Sequence, residues 1–307
     1  MLLLLPIGSA AAADTCKFVE EASLPASFEN GEALVGVAVN GVPARFRIGT
    51  YSAFTQISRS LAQRAHLPIK DEQFRIPTAQ GIAWLDGAIV SQFKIGEKAG
   101  ATTTFQVMDQ GGDGTSNESA GVVGQNYLMS FDIELDPGLS RINLFAPIEC
   151  PADAVYWANE HFELPLTIDR NHRPQVRVTL DGNDFYAYLD TAASHSTIDF
   201  ATAKKKLDIP GDIDPPMPTR KIGGVQPPNP TYAFKELVFG PITIKHPKLE
   251  LQRYRTVAGG SASDDAPVII GMDIIGKFHS MISARNGMLY FTLPNERLSA
   301  PGSAPKP

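Results

Sequence analysis

Landmarks recur along this chain at a fixed spacing, and a chain that repeats itself must fold twice in much the same way. Gly49, Ile57 and Ala62 are answered 141 residues later by Asp190, Ile198 and Ala203. Gly124 and Phe131 are answered 147 residues later by Gly271 and Phe278. An offset that holds and then shifts once, by six residues, describes an internal duplication with one net insertion. Within each half, loose alternation leads to a hairpin signal, Asn40-Gly41 in the first and Asp181-Gly182 in the second. A returning strand follows, Ala44–Ile48 or Phe185–Leu189, and delivers the chain into a turn of small residues. A helix is predicted over Ser58–His66, with Ser58 as its N-cap. Apolar runs ending in glycine come next, Gly121-Val122-Val123-Gly124 and Val268-Ile269-Ile270-Gly271, and each half closes on a strand, Arg141–Phe145 or Met288–Phe291. The expected fold is all-β: two tandem lobes of short strands, each with a short helix.

The 307 residues suffice for two domains of ordinary size, and 43% apolar with 20% charged residues describes a soluble globular protein. A formal net charge of −6 leaves no basic stripe for phosphates, which argues against a nucleic-acid partner. Lys204-Lys205-Lys206, the one basic run, reads as a solvated helix face. Residues 1–13 are apolar and then small, like the core and cleavage site of a secretory signal peptide, although a basic lead is absent. The run is too short to span a membrane, so no stable membrane anchor is expected, and the compartment implied is periplasmic or secreted. There an even cysteine count suggests a disulfide between Cys16 and Cys150, with two unpaired thiols as the alternative. Two cysteines and six scattered histidines give no metal-ligand spacing. The division expected is signal peptide 1–13, lobe one 14–150, lobe two 151–296 and a disordered tail 297–307, with Glu149–Asn159 linking the lobes.

Tyr188-Leu189-Asp190-Thr191-Ala192-Ala193-Ser194, followed later by Val268-Ile269-Ile270-Gly271, resembles the retropepsin/pepsin-like aspartic peptidases. Their pattern is apolar-apolar-Asp-Thr/Ser-Gly/Ala and then apolar-apolar-Gly. The resemblance spans roughly Ala33–Leu293, but only lobe two carries the catalytic signature. It implies Asp190 as general acid/base holding the lytic water and Thr191 bracing the turn. Ala192, Ala193 and Tyr51 would line the substrate, and Gly81, Gly223 and Gly224 would lie in flap hairpins over it; an ordinary hairpin turn is the alternative for these glycines. The partner implied is a peptide or protein substrate, with no cofactor and no metal.

Lobe one departs from the pattern. Where lobe two has Leu189-Asp190-Thr191, lobe one has Ile48-Gly49-Thr50, and the third position holds Tyr51, whose ring would crowd the turn or enter the cleft. Aspartic peptidases use two carboxylates about 3 Å apart that share one proton, one acting as acid and the other as base. Gly49 supplies none. Three readings stay open: an endopeptidase pairing Asp190 with Asp190 of a second chain as a homodimer through lobe two, a pseudopeptidase that binds peptide without cutting it, or a substitute carboxylate such as Asp86 or Asp199. Asp190 capping its own turn is the structural alternative. His195 beside Ser194 and Ser196 cannot form a relay, because neighbours on one turn do not converge. Asn126 and Asp273 are expected to serve as helix N-caps, Tyr51 and Tyr127 as cleft or core aromatics, and Trp84 as packing.

Overall fold

A computed structural model describes residues 19–28, 31–78, 81–109, 111–115, 118–147, 154–216, 228–253 and 268–293. The expected signal peptide, Cys16, Cys150, Gly223, Gly224 and the tail lie outside these residues. The chain is all-β in two lobes, with short helices.

Each lobe is built on the hairpin its sequence signals. Leu34–Val39 pairs antiparallel with Val42–Ile48, and Pro174–Leu180 with Asn183–Leu189. Both connecting residues take positive φ, Asn40 at 47° and Gly41 at 80°, Asp181 at 48° and Gly182 at 78°. That mirror-image turn matches the right-handed twist of its strands. The returning strand then pairs in parallel with the apolar-Gly segment: Val42–Ile48 with Gly121–Val123, and Asn183–Leu189 with Val268–Ile270. Gln56–Ser58 and Thr197–Asp199 run antiparallel on the far side of those segments. Helix Arg59–Arg64 follows the first, capped by the Ser58 hydroxyl, which accepts from Leu61 N at 3.1 Å. Helix Phe200–Lys206 follows the second, capped by Asp199.

A shared sheet joins the lobes. Glu20–Ser27, Arg141–Phe145 and Asp132–Asp136 from the first half continue into His279–Ser283, Met288–Thr292 and Phe162–Pro165 from the second. The seam runs between Asp132–Asp136 and His279–Ser283, where Leu135 lies opposite Ser280 and Ile133 opposite Ile282. Buried Phe46, Ile48 and Phe93 in lobe one and Leu189, Phe239 and Phe291 in lobe two belong to one continuous apolar core. The described end of the linker packs against this seam. Tyr156 donates to the buried Glu134 carboxylate at 2.9 Å, and Trp157 stacks on His279 with centroids 4.1 Å apart.

In lobe one a long antiparallel hairpin, Ile69–Thr78 and Gly81–Val90, carries Gly81 at its tip opposite Thr78. Phe74 of this hairpin leans on Phe54, three residues beyond Tyr51, with ring centroids 5.1 Å apart. Trp84 corrects the packing expectation: it is 51% exposed, because it sits opposite Arg75 on an outward face of the hairpin rather than over core. Tyr127 is a core aromatic, edge-on to Phe93.

Candidate active site

The strand Asn183–Leu189 stops at Asp190 because the next residues close a tight turn. Asp190 N donates to Ile270 O at 3.0 Å and Ala193 N donates back to Asp190 O at 3.3 Å. Lobe one forms the same turn around Gly49, whose N–H donates to Val123 O at 2.9 Å while Ser52 N donates to Gly49 O at 3.3 Å. Gly49 therefore stands where a second carboxylate would be carried. A Cβ there would lie 2.3 Å from Val122 Cγ1 and 3.3 Å from Ala192 Cβ, so neighbouring side chains have closed over the position.

The two turns meet within one chain. Thr191 N donates to Thr50 Oγ1 at 3.2 Å, and Thr50 N to Thr191 Oγ1 at 3.4 Å. Each hydroxyl also donates across to the other lobe, Thr50 Oγ1 to Leu189 O at 2.6 Å and Thr191 Oγ1 to Ile48 O. Both side chains are fully buried. The expectation that Thr191 braces its own turn changes in kind: its hydroxyl braces the opposite lobe. Thr50 is the lobe-one partner in this contact, a position the catalytic motif did not single out, although its place 141 residues before Thr191 marks it.

Behind each turn a second lock repeats. Thr55 Oγ1 accepts from Gly124 N at 3.1 Å and donates to Asn126 Oδ1 at 2.9 Å. Ser196 Oγ accepts from Gly271 N at 3.0 Å and donates to Asp273 Oδ1 at 2.7 Å. Asn126 and Asp273 were expected to cap helices. Instead Gly124 and Gly271 hold the N-cap positions, with no side-chain cap, and the two polar side chains reach sideways to the turn.

Asp190 is partly exposed, yet the protein packed around its carboxyl removes enough water to raise it above the ordinary carboxylate range. Opposing that are the Ala192 N–H, which donates to Oδ1 at 2.9 Å, the charge of Arg47, and the Tyr51 N–H. Arg47 Nη1 donates to Ala192 O at 3.0 Å and reaches Glu32 Oε1 at 3.4 Å, while its Nε is buried with no acceptor among the described residues. An enclosed donor left unmet costs about 1–3 kcal/mol.

Tyr51 neither crowds its turn nor stands free in the cleft. Its ring crosses to lobe two and lies edge-on against Tyr188, centroids 5.0 Å apart. The Arg173 guanidinium sits over both rings, 4.7 Å from Tyr51 and 4.5 Å from Tyr188. Asp169 holds this group together, accepting from Arg173 Nε at 2.7 Å and Tyr188 OH at 3.0 Å. Burial is the first cause that pushes both phenols up. Ala193 packs into the same apolar patch. Arg47, Arg173 and Asp169 had no sequence signal, because nothing local ties them to the motif.

The substitute carboxylates are committed elsewhere. Asp86 pairs with Arg59 at 2.8 Å, and Asp199 caps its helix by accepting from Thr202 N at 2.8 Å. Gly81 opens the second strand of the lobe-one hairpin.

A comparison with curated proteins found no match. Residues 176–274 match the family model described as Aspartyl protease. That segment runs from the hairpin carrying Asp190 to the helix Met272–Ile275, and the match supports the aspartyl protease family, and protease activity in general, as the class of the second lobe.

Proposed function

We propose that the protein binds extended peptides over Asp190 in a cleft of the aspartic-protease type, without hydrolysing them by an intrachain dyad. The meeting of the Asp190 turn with the Gly49 turn of the same chain carries this reading. A dyad needs a second carboxylate facing the first, and the facing position has no side chain. A neutral Asp190 carboxyl, favoured by its burial, is a hydrogen-bond donor for a peptide carbonyl. The two similar lobes fit an internal duplication in which lobe one lost its carboxylate. The apolar and small residues of the N-terminus support a periplasmic or secreted site of action.

A second reading, an aspartic endopeptidase, is favoured by the match over residues 176–274 and by the intact Leu189-Asp190-Thr191 turn. Its acid and base would be the Asp190 residues of two chains in a homodimer, one protonated and one ionised, holding the water between them. Bringing them together would require parting Thr50 from Thr191.

Incubating a mixed peptide library with the protein between pH 3 and 7, beside Asp190→Asn, tests the choice. Peptides retained but intact support binding. Cleavage that disappears in Asp190→Asn overturns it in favour of the endopeptidase, and a rate rising faster than protein concentration identifies the dimer.

A further inference from the structure

Two side chains flank the paired turns at matching places, Arg47 two residues before Gly49 and Tyr188 two residues before Asp190. Their surroundings differ. Tyr188 is only 2% exposed, roofed by Tyr51 and Arg173. The Arg47 side chain is 28% exposed. One flank of Asp190 is thus closed by aromatic rings, and the other presents a cation.

We propose that Arg47 is a carboxylate-recognising subsite beside Asp190, so that the bound peptide presents either a free C-terminus or an acidic side chain there. The proposal rests on the peptide-binding reading above. A guanidinium is a planar fork of five donors suited to pairing a carboxylate through two parallel hydrogen bonds. Here one arm is held by Ala192 O, and Nε meets no acceptor among the described residues. Glu32 is the carboxylate already nearby, but its 3.4 Å contact is long and its side chain is 29% exposed, so it is a weak competitor. Burial disfavours the charged form of Asp190, which lessens the repulsion an incoming anion would meet there. Because Nε is enclosed, binding requires the Arg47 side chain to turn outward from Glu32, which gives that donor its missing partner.

The test is fluorescence anisotropy with labelled peptides of one apolar sequence in three forms: free C-terminus, amidated C-terminus, and amidated with a single internal Glu. At least one carboxylate-bearing form is expected to bind about tenfold more tightly than the neutral amide, and which one does so identifies the source. Arg47→Gln should collapse that ratio to about one, and Arg47→Lys should keep part of it. Should Arg47→Gln fail to fold, the salt dependence of the wild-type ratio replaces it, with the preference expected to shrink at high salt. Equal binding of all three forms by the wild type, or a ratio that survives Arg47→Gln, overturns the subsite and leaves the peptide-binding reading standing. If no form binds, both fall.

Discussion

Thr50 and Thr191 each place a hydroxyl against the other's backbone N–H, at 3.2 and 3.4 Å, across the boundary between the lobes. Each hydroxyl then reaches on to a carbonyl of the opposite strand, Leu189 O or Ile48 O. The two turns that carry Gly49 and Asp190 are thereby held together inside a single chain. A local pairing of turns decides which chemical groups can meet.

Thr50→Val removes an acceptor and a donor from a dry site and leaves Thr191 N and Leu189 O unmet. Stability is expected to fall by about 1–3 kcal/mol, since a buried unpaired polar group costs that much. Urea unfolding of Thr50→Val, Thr191→Val and the double variant should show strong non-additivity, as the four bonds act together. Simple addition of the two losses would mean that the turns do not support one another.

Gly49→Asp restores a carboxylate opposite Asp190, but its Cβ meets Val122 Cγ1 at 2.3 Å. Overpacking of this kind costs about 1–3 kcal/mol. Combining it with Val122→Ala should recover most of that stability and produce peptide cleavage at acidic pH. A well-folded double variant that leaves peptides intact would show that a second carboxylate at this position does not by itself confer cleavage.

The Asp190 carboxyl is raised in the folded protein, chiefly by burial, from an unfolded value of about 3.9. The folded state holds that proton more tightly, so this contribution to stability is complete below about pH 4 and is lost as pH rises through the raised value. Asp190→Asn does not ionise and keeps an oxygen for the Ala192 N–H. It should be more stable than wild type at pH 7, with the difference narrowing toward pH 4. Denaturation curves showing the reverse trend would contradict a carboxyl raised by burial.

Tyr156→Phe takes one donor from Glu134, which also accepts from Asn143 and pairs with His279 at 2.7 Å. A hydrogen bond to a charged group contributes about 1.5–3 kcal/mol. The loss should appear as a lower urea midpoint and faster proteolysis in the linker, where Tyr156 and Trp157 are pinned to the seam. An unchanged midpoint would mean that this segment is held by packing alone.

Much of the architecture was legible because its signals are local. Asn40-Gly41 and Asp181-Gly182 can take positive φ, and alternating residues flank them, so the hairpins follow from a few adjacent residues. The helix after Ser58 was found for the same reason, although it ends at Arg64 rather than His66. Trp84 was misplaced because alternation assigns a residue to a face but does not reveal whether that face is covered. Asn126 and Asp273 were misassigned because a cap and a sideways hydrogen bond look alike in sequence.

By itself, then, the sequence determined an all-β chain in two lobes, a carboxylate at Asp190, and the absence of one at Gly49. Those properties reside in side-chain identity and short-range backbone preference. Only the tertiary structure decided that Thr50 faces Thr191, that Tyr51 leaves its own lobe for Tyr188 and Arg173, and that Arg47 reaches from lobe one to the Asp190 turn. These contacts join residues more than a hundred positions apart, and they arise when two apolar faces pack and close one set of neighbours around each turn.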